Sequence, residues 1–333
     1  MAVILFMTTN TNNKTTTHLW IKDIIEETRI NDYYLVKLKQ PGTTRNGKPF
    51  ISLRLADRTG EVEAKVWDRA TELGALFKEG DIIYITGHAS SYRNQIQITI
   101  TNLKCPDKEM DQGLFMEATP SNTKKMLNDL EIIIRDVKNP HLKTLVESFL
   151  SDHDFMLLFE RTPAAKNFHH SYLGGLLEHS LSVCRLAILV SDHYPQLDKD
   201  ILITAAFLHD IGKVRELEIK TNINYTDEGR LLGHLVIGTQ MLNDKIAKIK
   251  DFPPDLALRL KHIILSHHGQ YEFGSPKKPK FLEAIAINLI DDLDAKINGL
   301  DRFMAQDRHE GSWTSFNRMF EQFFLKGEIL EIE

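Results

Sequence analysis

Histidine and aspartate recur along the second half of this chain at His179, the pair His209-Asp210, His234, the pair His267-His268 and Asp291. Imidazole and carboxylate together suit borderline or hard divalent ions such as Mn, Fe, Mg or Zn, and one aspartate can bridge two ions while the imidazoles divide between them. Taken singly, each histidine is more often a core residue with satisfied nitrogens than a ligand; the ordered set is what carries the signal. Only Cys105 and Cys184 are present, so neither a disulfide framework nor a cysteine-rich zinc site is on offer, and metal chemistry has to run through His and Asp. The His-Asp pair closes the stretch Ile201-Leu-Ile-Thr-Ala-Ala-Phe-Leu-His209-Asp210-Ile-Gly-Lys213, in which seven of the eight residues before His209 are apolar. A helix there is apolar nearly all round and therefore central. Burying an unpaired imidazole and carboxylate at its end is costly, and hydrogen bonds or a metal ion relieve the cost. Lys213, one turn beyond His209, stands where it would neutralise a substrate phosphate, although a helix C-terminus favours a lysine for dipole reasons alone.

These residues need helices to hold them. From residue 155 onward apolar spacing predicts helices over about 172–193, 199–213, 231–248, 255–267, 281–298 and 312–325. The fifth is expected to bury Leu282, Ile285, Leu289, Leu293 and Ile297, which sets Asp291 and Asp294 on one flank, a turn apart. The last, rich in Phe and Met, is expected to close the core rather than make a subunit contact. Residues 105–155 read as a helical connector, with helices over 122–137 and 141–149 punctuated by Pro120 and Pro140.

The first third of the chain follows a different period. Tyr34, Val36 and Leu38, then Ile51, Leu53 and Leu55, then Val62, Ala64 and Val66, then Ile83 and Ile85, then Ile96, Ile98 and Ile100 alternate as five half-buried strands. A short helical piece near 68–77 separates the third from the fourth, which is the element order of an OB-fold barrel. Such barrels bind single-stranded nucleic acid along strands two and three and with the loops joining strands one to two and four to five. Residues 29–58 hold seven basic side chains (Arg29, Lys37, Lys39, Arg45, Lys48, Arg54, Arg58) against Asp32 and Asp57, in a chain of net charge −5. Tyr33, Phe50 and Trp67 are candidates to stack on bases, Arg45, Lys48 and Arg54 to meet phosphates, and Tyr92 and Arg93 to do both from the last loop. The alternative is that the aromatics pack the barrel ends and the charges form a solvated face. At 333 residues with 26% charged and 42% hydrophobic side chains, the chain is long enough for two domains of an ordinary globular protein. Residues 1–7 are apolar but far shorter than the ~20 residues of a membrane span, and residues 8–17 are polar without period. A cytoplasmic protein with a disordered tail over 1–17 is expected.

The ordered set His, His-Asp, His, His-His and Asp on successive helices resembles the HD superfamily of metal-dependent phosphohydrolases. The words 162–180, Thr-Pro-Ala-Ala-Lys-Asn-Phe-His169-His170-Ser-Tyr-Leu-Gly-Gly-Leu-Leu-Glu-His179-Ser, and Asp291-Asp-Leu-Asp-Ala-Lys296 are more particular. With the barrel ahead of them they resemble the YhaM-type 3′→5′ exoribonucleases, over about residues 19–300. The resemblance implies a multidomain α and β chain: an OB-fold domain over 18–104, the connector over 105–155, and an all-α HD domain over 156–333. It implies His179, His209, Asp210 and Asp291 around one ion and His234 and His267 around a second, with Asp210 between them. His268 completes the second set or stands aside, and Asp294 either joins the ligands or orients one of them. Asp210 and Lys213 would be the catalytic pair, the ion manganese, the nucleophile a metal-activated water, and the substrate single-stranded RNA taken from its 3′ end, extending to single-stranded DNA. Lys277 and Lys278, in the loop 274–280 just after the doubled histidine, either guide phosphate or belong to a solvated loop, the former being favoured; His169 and His170 either touch substrate or stabilise their loop. A homo-oligomer is left open. Two other readings compete: an HD phosphohydrolase of nucleotides or cyclic dinucleotides with a regulatory barrel, and a non-catalytic nucleic-acid binder with a structural metal.

Overall fold

Alternation in the first third of the chain produces β1 (Arg29–Thr43), β2 (Pro49–Asp57), β3 (Gly60–Val66), β4 (Ile82–Tyr92) and β5 (Gln95–Lys104), with α1 (Ala70–Gly74) between β3 and β4. The structure, a computed structural model, describes residues 18–327 except 93–94, 107–109, 111, 167–169, 220–222, 308 and 310. It divides into two units, Met1–Phe115 and Met116–Glu333; the tail expected over 1–17 lies outside the described residues. In the first unit the strands close in the order β1-β2-β3-β5-β4, with β3 and β5 parallel and the other pairs antiparallel. The barrel is the expected OB-fold. Tyr34, Val36, Leu53, Leu55, Ala64, Val66, Ile83, Ile85, Ile98 and Ile100 fill its interior. Leu38 is only half-buried, because a register shift between Val36 and Leu38 turns the strand there.

A charged latch ties the start of the described chain onto this barrel. The His18 ring lies between two carboxylates, with Nδ1 3.1 Å from Asp32 and Nε2 3.5 Å from Asp57. The same carboxylates accept the backbone N–H groups of Leu19 and Ile21, and the Tyr34 hydroxyl donates to the Leu19 carbonyl. Burial by itself would favour the neutral ring, but its bonds to Asp32 and Asp57 outweigh that and lift its pKa from 6.5 to about 9. A folded-state pKa above the unfolded one stabilises below pH 6.5, and the contribution is lost as pH rises through about 9. A histidine Cε1–H NMR resonance titrating near 9, absent in His18→Gln, is the expected observation; a midpoint near 6.5 would contradict it.

The second unit is helical: α2 (Thr123–Arg135), α3 (Pro140–Leu150), α4 (His153–Phe159), α5 (Gly175–His193), α6 (Lys199–Leu208), α7 (Lys213–Glu216), α8 (Asp227–Ile246), α9 (Pro254–Ser266) and α10 (Leu282–Gln306). A two-stranded hairpin, β6 (Leu217–Ile219) and β7 (Ile223–Tyr225), interrupts it. Side chains of Asn122, Asn139, Asp152, Asp198 and Thr226 accept first-turn N–H groups and start five of these helices. Every residue of α6 from Ile201 to Leu208 is buried, as its composition requires. Residues of α2, α3 and α4 lie in the same hydrophobic core as α5, α6 and α9. No helix among the described residues is long and apolar enough to cross a membrane.

Two expectations are corrected. Leu282, Ile285, Leu289, Leu293 and Ile297 are exposed on α10, and Ala284, Ile287 and Ile290 face the core instead. The helix carries two apolar rows on opposite sides. Asp291 and Asp294 project on the side of Ala284 and Ile287, and pairing these carboxylates with His179 decides which row turns inward. Residues 312–325 form no helix: isolated antiparallel bridges join Trp313 to Leu325 and Asn317 to Gln322. There Thr314 accepts from the Phe324 N–H, and Asn317 accepts from the Met319 and Phe320 N–H groups, so local side-chain bonds displace the helical ladder.

Candidate metal centre and nucleic-acid face

The helix α6 delivers His209 and Asp210 in the turn that follows it, both buried completely or nearly so. Around Asp210 the other candidates fall into two groups. His179 of α5, His209 and Asp291 of α10 form the first: His179 Nε2 is 3.1 Å from Asp291 Oδ1, 3.1 Å from His209 Nε2 and 3.7 Å from Asp210 Oδ2. His234, His267 and His268 form the second with Asp210: its Oδ1 is 3.6 Å from His234 Nε2 and 3.5 Å from His267 Nε2. His234 Nε2 and His268 Nε2 are 3.3 Å apart. One carboxylate thus turns a different oxygen to each group. Each group has a part-buried edge, Asp291 in the first and His234 and His268 in the second.

Four rings have their tautomer fixed from behind. Nδ1 of His209 donates to the Ala206 carbonyl and that of His267 to the Ile264 carbonyl, at 2.8 and 2.9 Å. Nδ1 of His179 donates to Asp294 and that of His234 to Glu216, at 2.7 and 3.0 Å. All four partners are pure acceptors, so each Nδ1 holds a hydrogen and each Nε2 is the nitrogen aimed inward, the one a ligating ring would offer to a metal. Buried Asp210 Oδ1 and His267 Nε2 have no hydrogen-bond partner among the described residues. The Nε2 atoms of His179 and His209 lie 3.1 Å apart and those of His234 and His268 3.3 Å apart, close enough for each pair to share one cation, and burying an orphaned carboxylate oxygen beside them is costly without one. The donor set therefore fits divalent metal.

Ionisation agrees. Burial alone would raise the Asp210 and Asp291 carboxyls, but Lys213 with His209 in one case and His179 in the other hold both well below the usual range. Burial pushes His267 down and His268 to about 3, with neighbouring imidazoles adding to the effect on each. These rings are neutral and ready to ligate. His179 is opposed by burial yet raised to about 9 by Asp291 and Asp294, so a metal ion entering there displaces a proton.

Lys213 opens α7, is buried, and donates from Nζ to Asp210 Oδ2 at 2.5 Å. Sequence reasoning missed several supports. Glu216, one turn beyond Lys213, accepts from His234; Asn288 donates to the His267 carbonyl at 2.6 Å; Ser182 donates to Asp294. Glutamate, asparagine and serine on helices carry no signal that separates such roles from a solvated face. Asp294 stands behind His179 as a ligand-orienting residue would. His170, buried, presents Nε2 3.1 Å from Asp294 and Nδ1 2.9 Å from the Tyr172 hydroxyl, which places it behind the ligands. His169 lies outside the described residues.

On the barrel, Phe50 at the start of β2 and Trp67 just after β3 come together, with ring centroids 5.1 Å apart and planes tilted 30°. Trp67 is 44% exposed. The tip of the Phe50 ring lies over Gly42, where an added Cβ would sit 2.5 Å from Cζ, so a larger residue there would displace the ring from this seat. Lys65 Nζ stands 5.5 Å from the Phe50 centroid, a contact the sequence did not suggest. Lys48, Trp67 and Arg69 line an adjoining cleft of about 350 Å³. Arg45 is exposed at the β1–β2 turn, and exposed Arg54 lies 3.8 Å from Glu61. Tyr33 is not brought to this face; it packs edge-on against Tyr84, over Leu35, Ala56 and Phe115. The Tyr92 side chain and Arg93 lie outside the described residues. Lys277 and Lys278 are exposed in the second unit, with Lys278 5.4 Å from the Tyr271 ring.

Comparison with known proteins divides the chain in the same way. The HD domain model matches residues 176–296, and a model described as an OB-fold nucleic acid binding domain matches residues 28–106. A 3′-5′ exoribonuclease YhaM of Shouchella clausii is 38% identical over 277 residues, covering 82% of this chain and 85% of that protein. Its counterpart in Bacillus subtilis is 36% identical over 276 residues, covering 82% and 87%. That of Halalkalibacterium halodurans is 36% identical over 276 residues, covering 82% and 85%.

Proposed function

Since the chain belongs to the YhaM family of 3′→5′ exoribonucleases, we propose that it degrades single-stranded RNA from the 3′ end with two manganese ions at the Asp210 centre. The observation that carries this reading is the division of Asp210: Oδ2 lies 3.7 and 3.4 Å from His179 and His209, which group with Asp291, and Oδ1 lies 3.6 and 3.5 Å from His234 and His267, which group with His268. When bound, divalent ions supply Lewis acidity, lowering the pKa of water towards neutrality and offsetting charge that builds on the phosphoryl oxygens. The protein does the rest. Asp210 keeps its charge between the two groups, and Asp294 and Glu216 hold His179 and His234 in the ligating tautomer. Lys213, fixed by Asp210, offers its remaining N–H donors to a non-bridging phosphate oxygen.

A phosphodiesterase centre in a helical domain has little reach along a polymer. The barrel provides it, by stacking bases on Phe50 and Trp67 and meeting phosphates with Lys48, Arg45 and Arg54, while Lys277 and Lys278 guide the strand on the second unit. Stacking and charge do not read base edges, so binding would be salt-sensitive and tolerant of sequence and would extend to single-stranded DNA. The exposed apolar row of α10 supports a homo-oligomer. A cytoplasmic location belongs to the same reading.

A 5′-labelled RNA oligomer incubated with Mn²⁺ is expected to give a descending ladder on a sequencing gel, abolished by EDTA. An intact oligomer in both lanes, with hydrolysis of mononucleotides instead, would overturn the nuclease reading in favour of a small-phosphoester hydrolase.

A further inference from the structure

The four imidazoles with fixed tautomers are not held alike. His209 and His267 donate to carbonyls three residues earlier in their own helices, so the helix that presents each ring also aims it. His234 has no such support. It follows a break inside α8, where Gly233 takes φ 71° and ψ 158°, a left-handed excursion that glycine tolerates. The break removes the His234 N–H from the helical ladder, and a single oxygen replaces what was lost: Glu216 Oε1 accepts the backbone N–H at 2.9 Å and ring Nδ1–H at 3.0 Å. Glu216 is itself pinned, its N–H donating to the Gly212 carbonyl and its own carbonyl accepting from Thr226, at 3.0 and 2.9 Å. It is nearly buried, and its side-chain bonds run to His234.

We infer that Glu216 is the positioning residue of the second ion site alone, so that its loss yields a protein holding one ion, at His179, His209 and Asp291, and not two. This rests on the two-ion reading above. Without the carboxylate the His234 N–H is orphaned and the ring is free to turn. The second ion is then left with Asp210 Oδ1, His267 and His268. Loss of a group that orients a metal ligand weakens the metal by ~10–100-fold, and here that weakening falls on one site of the two.

The test is Mn²⁺ binding to the metal-stripped full-length protein, followed by calorimetry and by the EPR signal of free Mn²⁺. Two ions are expected for the wild type. Glu216→Ala is expected to keep one of unchanged affinity and to bind the other ~10–100-fold more weakly. Glu216→Gln retains an acceptor oxygen and is expected to restore most of the second. A role in folding alone would lower the melting temperature without separating the ions or discriminating Gln from Ala. Should the Ala variant not fold, Glu216→Asp, whose oxygen is drawn back by one methylene, is expected to show the same selective loss. Two ions of wild-type affinity in a folded Ala or Asp variant, or equal weakening of both, would overturn the inference. A single ion in the wild type would overturn the two-ion reading and this inference with it.

Discussion

Asp210→Asn is expected to lose RNA hydrolysis by about a thousandfold or more while RNA binding stays within a few-fold of wild type. The variant keeps the shape of the side chain but replaces one oxygen by an N–H donor, and an amide cannot present acceptors to both groups of imidazoles at once. Metal ions contribute several kcal/mol of transition-state charge stabilisation, and ~1.4 kcal/mol is a factor of ten in rate, so losing the shared ligand accounts for at least three decades. Lys213 also loses its counter-charge at 2.5 Å in a buried site. A buried cation without its partner is costly, so the metal-free variant should melt earlier as well. Single-turnover rates at saturating RNA separate this from a binding defect. Turnover within tenfold of wild type would mean that Asp210 does not hold the ions.

The second large effect is expected on the barrel. Phe50→Ala combined with Trp67→Ala should raise the Kd for a long single-stranded oligomer by about thirtyfold to a thousandfold or more, since each stacked base is worth ~1–3 kcal/mol and ~1.4 kcal/mol is tenfold. The rate at saturating RNA should change little, because neither ring belongs to the centre. Neither substitution removes a charge, so the salt dependence of binding should keep its slope while the affinity falls. Lys48→Ala should do the reverse, with a smaller loss and a shallower slope. If the double variant binds RNA as wild type does, the nucleic acid lies on some other face of the barrel.

The residues that gather around Asp210 as a candidate metal centre were legible in the sequence. The reason is that chemistry and hydrophobicity conflict there: a helix apolar from Ile201 to Leu208 except at Thr204 has no structural use for His209 and Asp210 at its end. The barrel was legible because a period of two forces side chains inward along β2 and β3, as at Leu53, Leu55, Ala64 and Val66. What failed was orientation. In α10 two apolar rows compete, and sequence reasoning chose the longer one, Leu282 to Ile297; carboxylate pairing at Asp291 and Asp294 selects the other. Residues 312–325 have helical spacing of Phe and Met, yet the Thr314 and Asn317 side chains bind backbone groups locally, Ser315 donates to the Asp307 carboxylate, and a bridged turn results. Tyr33 shows the same limit on the barrel, since residue type suggests stacking on a base and packing against Tyr84 equally well. Glu216 was invisible because its role depends on the break at Gly233, a backbone feature without a sequence signature of its own.

The most direct test of the two-ion centre is anomalous scattering from crystals grown with Mn²⁺, recorded at the manganese edge. Two peaks are expected, ~3.5–4 Å apart, one against His179, His209 and Asp291 and the other against His234, His267 and His268, with Asp210 between them. A single peak, or manganese bound away from Asp210, would contradict the account.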